Sequence, residues 1–356
     1  MKLLSLLVVF GAVFSASAVE VRELRLAPLF KDHMVVASGR PVRVFGTGHG
    51  LVEVGFRGAK NSILAKDDKW CVELQSGTAG GPFKMEVKLD GQTVVIDDVM
   101  VGEVLLVSGQ SNMQFKLGSS ASDPATWKDN PLIRSYSTRR LEDGEPFTPD
   151  DGWVRLTVDN AAKWSAVAYE TAVRVAAAKG CAVGIINCYQ GASRIQAWMD
   201  AALCAESRFA LPEGGVEHGD ARNAHYLTWN RPGTLYRKQF LPLAPFSMSH
   251  VVWYQGESNT GKREGEIYGS LLAAMIQEWR EDLRYVELPF TVVRLANFRK
   301  RNDVSWKAVQ DAQASMPSRC ELINVVDAAA FCEDDDIHPK TKSLLGAQIA
   351  ESIMSR

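Results

Sequence analysis

The chain has 356 residues, enough for one large or two ordinary domains, and 46% of them are hydrophobic, enough to bury a sizeable core. Its 40 lysines and arginines and 42 aspartates and glutamates are mixed along the chain and leave a net charge of −2. There is no basic stripe, which argues against nucleic acid as the main partner.

The first elements in chain order read as an export signal. Lys2 supplies a positive start, residues 3–14 are an almost unbroken apolar run, and Ala16-Ser17-Ala18 offers small residues for cleavage after Ala18. The run is too short to span a bilayer, and no later stretch is apolar for long enough. A secreted or periplasmic protein without a membrane span is expected. Export permits disulfides among Cys71, Cys181, Cys188, Cys204, Cys320 and Cys332. No pair has CxxC spacing, so the expectation is buried thiols with one or two bridges of unspecified pairing.

Residues 19–100 read as a small all-β sandwich domain. The runs PVRVFG, LVEVGF, KWCVEL and FKMEVKL alternate apolar and polar between Gly, Asp and Lys turns. From 101 to 356 the pattern changes to α/β. EVLLVS, CAVGIINCY, HVVWYQ, PFTVVRLANF and ELINVVD are apolar runs suited to strands covered on both faces. Helices are predicted over 166–179, ending at Gly180, and over 268–283 and 305–316. Strands alternating with helices indicate a parallel sheet. Residues 200–232 are irregular and rich in Gly, His and Asn, and read as loops over a site.

Three of the apolar runs end in polar turns: GQSNM (109–113), QGAS (190–193) and QGESN (255–259). Sites of open α/β sheets lie at the carboxyl ends of strands, so these turns should converge. Ser111 is the candidate nucleophile, and a serine needs a base to take its proton. His338, in EDDDIHP, is the candidate base because its ordinary pKa lies near neutrality. Asp335, or alternatively Asp336, would orient the imidazole. The oxyanion would be held by the backbone N–H groups of Ser111 and Gly191 and the side-chain amide of Gln255. EDDD beside His338 lacks a second histidine-rich segment, so no metal is expected. Trp198, Trp253 and Trp279 read first as core; Trp198 is the best candidate for a sugar platform. His218, Arg222, His225 and Arg231 are candidate substrate contacts, or equally solvated loop residues.

GQSNMQF, GASRIQAWM, WYQGESN and DIHPKTK together resemble the four blocks of the sialate O-acetylesterase family within the SGNH hydrolases. LAPLFKDHMVV, FLPLAPF and LANF extend the similarity over nearly the whole mature chain. The resemblance implies a flavodoxin-like hydrolase domain with a parallel sheet, a small β domain before it, and cofactor-free deacetylation of O-acetylated sugars. It implies Ser111 and His338 as the catalytic pair, and places Gln255 where other SGNH enzymes carry an oxyanion-hole asparagine. The chain departs from the family pattern at Ala192, where glycine is usual, and at Arg294, where glutamine is usual. The accessory β segments of longer members are also expected to be missing.

O-acetylated sialic acid is the expected substrate class, with acetylxylan or another acetylated polysaccharide as the alternative. A glycosidase using Glu257 and Asp335 leaves Ser111 and His338 unexplained. A catalytically dead sugar-binding protein would be expected to have lost one of those two residues.

Overall fold

The computed structural model describes residues 23–141, 152–217, 228–301 and 303–355. The expected export signal (1–18) and His218, Arg222 and His225 lie outside the described residues.

The first strands are β1 (Arg25–Leu26), β2 (Val35–Ala37), β3 (Pro41–Thr47), β4 (Leu51–Phe56), β5 (Ala59–Leu64), β6 (Lys69–Gln75) and β7 (Gly80–Leu89). β1, β3 and β6 form one antiparallel sheet. β5, β4 and β7 form another antiparallel array, joined to β8 (Gln92–Gly109). Alternation decides which side chains turn inward: Val42 and Val44 of β3, Val72 and Leu74 of β6, Val52 and Val54 of β4, and Met85 and Val87 of β7 are all buried. They belong to the same apolar cluster as the strands that follow.

β8 changes partners along its length. Its first half pairs antiparallel with β7. Residues 100–102 then pair parallel with β2, and its second half with β11 (Ala182–Tyr189) and β12 (His250–Tyr254). The boundary expected after residue 100 therefore lies within a single strand. With β9 (Asn130–Ser137), β10 (Val154–Leu156), β13 (Phe290–Arg294) and β14 (Ile323–Asp327), the order is β10-β9-β11-β8-β12-β13-β14. Every pairing in this series is parallel except β10 with β9. Every residue of β11 and β12 is buried, which fits continuous apolar runs covered on both faces.

The sheet is flanked by α1 (Ser111–Gln114), α2 (Ala166–Lys179), α3 (Gly265–Asp282), α4 (Val304–Ala314) and α5 (Ser343–Met354). α2 begins where Ser165 Oγ accepts from the Ala168 N–H, and it ends at Gly180 with φ 61°. β9 and α5 have no counterpart in the sequence reading. β9 hides its character by burying polar groups. Arg134 is 3% exposed, and it donates to the carboxylate and carbonyl of Asp98 and to the carbonyl of His33. No helix among the described residues is long and apolar enough to cross a membrane. All six cysteines are free thiols, so the one or two bridges expected are not formed.

Candidate active site

The three polar turns start level with one another. Gly109 stands opposite Tyr189 on one side of β8 and Tyr254 on the other. At Gly109 (φ 133°) a Cβ would run into the Tyr254 carbonyl, so only glycine allows β8 to turn here against β12. The chain turns at Gln110, and Ser111 opens the short helix α1 with its side chain part-exposed.

His338 Nε2 lies 2.8 Å from Ser111 Oγ, although 227 positions separate them. Burial first, then the Lys342 ammonium, hold the imidazole below its ordinary pKa, against an upward pull from Asp336. The ring is therefore a neutral proton acceptor near pH 7. A cleft lined by Ser111, Gln114, Phe115, Lys116, Gly191, Ala192 and His338 lies over the pair. Phe115 stacks on the imidazole with ring centroids 6.2 Å apart and an interplanar angle of 21°. Gln114 Oε1 is buried with no protein partner among the described residues, which leaves an acceptor beside the nucleophile.

Gly191 and Ala192 form the opposite wall. Ala192 has φ 56°, a left-handed conformation that costs an L-residue roughly 1–2 kcal/mol. Asn230 clamps this turn. Its Nδ2 donates to the Ala192 carbonyl (2.9 Å) and its Oδ1 accepts from the Arg194 N–H (2.7 Å). Ser111 and Gly191 both line the cleft.

Gln255 departs from expectation. It is fully buried, its Nε2 donates to the Ser193 carbonyl (2.9 Å) and Asn259 Oδ1 (2.7 Å), and its Oε1 accepts from Tyr268 (2.8 Å). With both amide hydrogens engaged away from Ser111, Gln255 braces the turn and does not line the cleft. Asp335 also differs. It is exposed and makes no hydrogen bond to His338, and its charge acts on Arg299. Asp336 is the nearer acid, with Oδ1 accepting from the His338 backbone N–H at 3.0 Å.

Trp198, Trp253 and Trp279 are all fully buried and pack edge to face, so Trp198 is core and not a sugar platform. Arg231 is exposed on the described edge of the irregular segment. Glu257 is 4% exposed and accepts from Asn112 Nδ2 at 2.6 Å, which closes it off from a glycosidic bond. Arg294 pairs with both carboxylate oxygens of Asp327. Sequence reasoning passed over Phe115, Gln114 and Asn230. The first two stand inside the GQSNMQF block, but nothing in the sequence marks Asn230.

Residues 101–355 match the family model described as carbohydrate esterase, sialic acid-specific acetylesterase. Human sialate O-acetylesterase is 24% identical over 91% of this chain and 69% of its own length, and the mouse protein 23% over 91% and 72%. The crystal structure of a carbohydrate acetylesterase from Xanthomonas citri superposes with a TM-score of 0.78 at 28% identity, covering 92% of this chain and 74% of that one. The chain belongs to this family of carbohydrate esterases and is a carboxylic ester hydrolase that removes O-acetyl groups from sugars.

Proposed function

We propose that the protein is a serine esterase acting on O-acetylated sialic acid through an acetyl-enzyme intermediate. The observation that carries this reading is the 2.8 Å contact of His338 Nε2 with Ser111 Oγ at the floor of an open cleft. His338 takes the hydroxyl proton as Ser111 attacks the acetyl carbonyl. The oxyanion that forms meets the N–H groups of Ser111 and Gly191. Collapse passes the imidazolium proton to the departing sugar hydroxyl and leaves acetyl on Ser111. A water, deprotonated by His338, then releases acetate. We assign Asp336, whose carboxylate holds the His338 backbone N–H and whose charge reaches the ring, to steady the imidazole, in preference to Asp335.

The order of the parallel strands and the site at their carboxyl ends support an SGNH hydrolase on a flavodoxin-like sheet over residues 101–356. The facing buried sets of β3/β6 and β4/β7 support a small sandwich over 19–100. The apolar run of residues 3–14 supports export as a secreted or periplasmic protein.

The test offers the purified protein O-acetylated sialic acids, acetylated xylan and a chromogenic acetyl ester, and compares kcat/KM. The highest value is expected on the sialic acids, with acetate released and glycosidic bonds intact. A preference for xylan would move the assignment to a polysaccharide acetylesterase.

A further inference from the structure

Beneath the catalytic pair lies a buried polar chain that the reaction as written does not use. Lys342, in the DIHPKTK block, is 1% exposed, and its Nζ donates to Asn112 Oδ1 at 2.7 Å. Asn112 follows the nucleophile. Its Nδ2 donates to Glu257 Oε1 (2.6 Å) and to the carbonyl of Ile337 (2.9 Å), the residue before His338. One amide thus ties the nucleophile turn, the QGESN turn and the histidine loop together. The ammonium also lies 5.4 Å from the centroid of Phe115, the ring stacked on His338, and 5.3 Å from that of Tyr254.

An amine is expensive to bury without a carboxylate in direct contact, and here a neutral amide receives it. The groups facing it are Glu257, Glu333, Asp336, Cys332 and His338. Burial first lowers the Lys342 pKa, to about 8 against the pull of those acids, so the amine is mostly protonated at neutral pH. A structural plug for this space would be apolar. A cation linked to the nucleophile turn and bearing on the base points to a role in the chemistry.

We propose that Lys342 is a positioning residue of the esterase: through Asn112 and Phe115 it fixes the seat of His338, the base that takes the Ser111 proton. This rests on the serine mechanism proposed above.

The test is the pH dependence of kcat/KM on a neutral acetyl ester. Lys342→Gln keeps a donor for Asn112 and removes the charge. Lys342→Met fills the same aromatic slot without any donor. With the cation gone the imidazole holds its proton more tightly, so the acid limb should move to higher pH in both variants, by about half a unit or more. Lys342→Arg should leave it near the wild-type position. A limb unmoved in a folded Lys342→Gln or Lys342→Met protein would overturn the proposal. So would an NMR titration of the wild-type His338 ring at or above the ordinary 6.5, a measurement that needs no variant. Ser111→Ala in the same assay separates the two layers. Activity surviving there removes the serine mechanism itself. Activity lost there, with an unmoved limb in Lys342→Gln, removes only the role of Lys342.

Discussion

The GQSNM and QGESN turns leave neighbouring strands at the same level of the sheet, and each carries a glutamine. Their polar groups have opposite fates. In QGESN, Gln255, Glu257, Ser258 and Asn259 are all buried, and the amides of Gln255 and Asn259 and one carboxylate oxygen of Glu257 are spent on the protein itself. In GQSNM, Gln110 and Asn112 are likewise buried, and Gln110 Oε1 accepts from the N–H groups of Gly256 and Ser258. Ser111 alone faces the cleft, with a base as its hydrogen-bond partner. A polar residue at the carboxyl end of a strand is thus a candidate for chemistry only if the fold leaves it facing the cleft. Most of these polar groups hold the turns in register so that one hydroxyl can react.

Removing the exposed member should have the largest effect. Ser111→Ala is expected to lower kcat by about four to six orders of magnitude. The thermal midpoint should stay near wild type, because Oγ supports no other part of the fold. Near-normal turnover by the folded variant would break the comparison. Gln255→Ala sharpens it from the other side. Each buried partner left unpaired costs about 1–3 kcal/mol, so a loss of roughly 3 kcal/mol in stability is expected, with kcat of the folded fraction within about threefold of wild type. The reverse pattern would restore Gln255 to the oxyanion hole: an unchanged midpoint with kcat down about 100- to 1,000-fold. Ala192→Gly should have the smallest effect. Glycine relieves the left-handed strain but loses more entropy on folding, so calorimetry should find about 0.5–1 kcal/mol of added stability. A drop in stability would mean that the Ala192 methyl packs usefully against the turn.

Much of this arrangement was legible in the sequence because it follows local rules. The buried strands announce themselves as unbroken apolar runs, α2 carries its own cap at each end, and the carboxyl-end rule brings Ser111 and Gly191 together. What was not legible depends on partners far away in the chain. β9 reads as polar because its Arg134 is neutralised by Asp98, 36 positions earlier. Gln255 looks like a free donor until Ser193, 62 positions away, is seen to take its hydrogen. Lys342 drew no reading of its own within the DIHPKTK block, and its main polar partner, Asn112, lies 230 positions earlier. Asp335 and Asp336 cannot be ranked from spacing, since the path of the loop decides which carboxylate meets the His338 backbone.

β8 gives the molecule a kind of axle. Its 18 residues amount to about 60 Å of extended chain, beginning in the N-terminal β array and ending on the glycine before the catalytic turn. The two regions therefore share one continuous backbone element and are not joined by a hinge. A chain shortened to start at residue 101 would lose the β2 and β7 pairings at residues 101–102 and uncover Val101, which is fully buried. The apolar surface so uncovered is the kind that draws chains together. The N-terminal β array thus serves as the mounting for the nucleophile, and engineering that treats it as a detachable accessory should produce aggregation before it produces a smaller esterase.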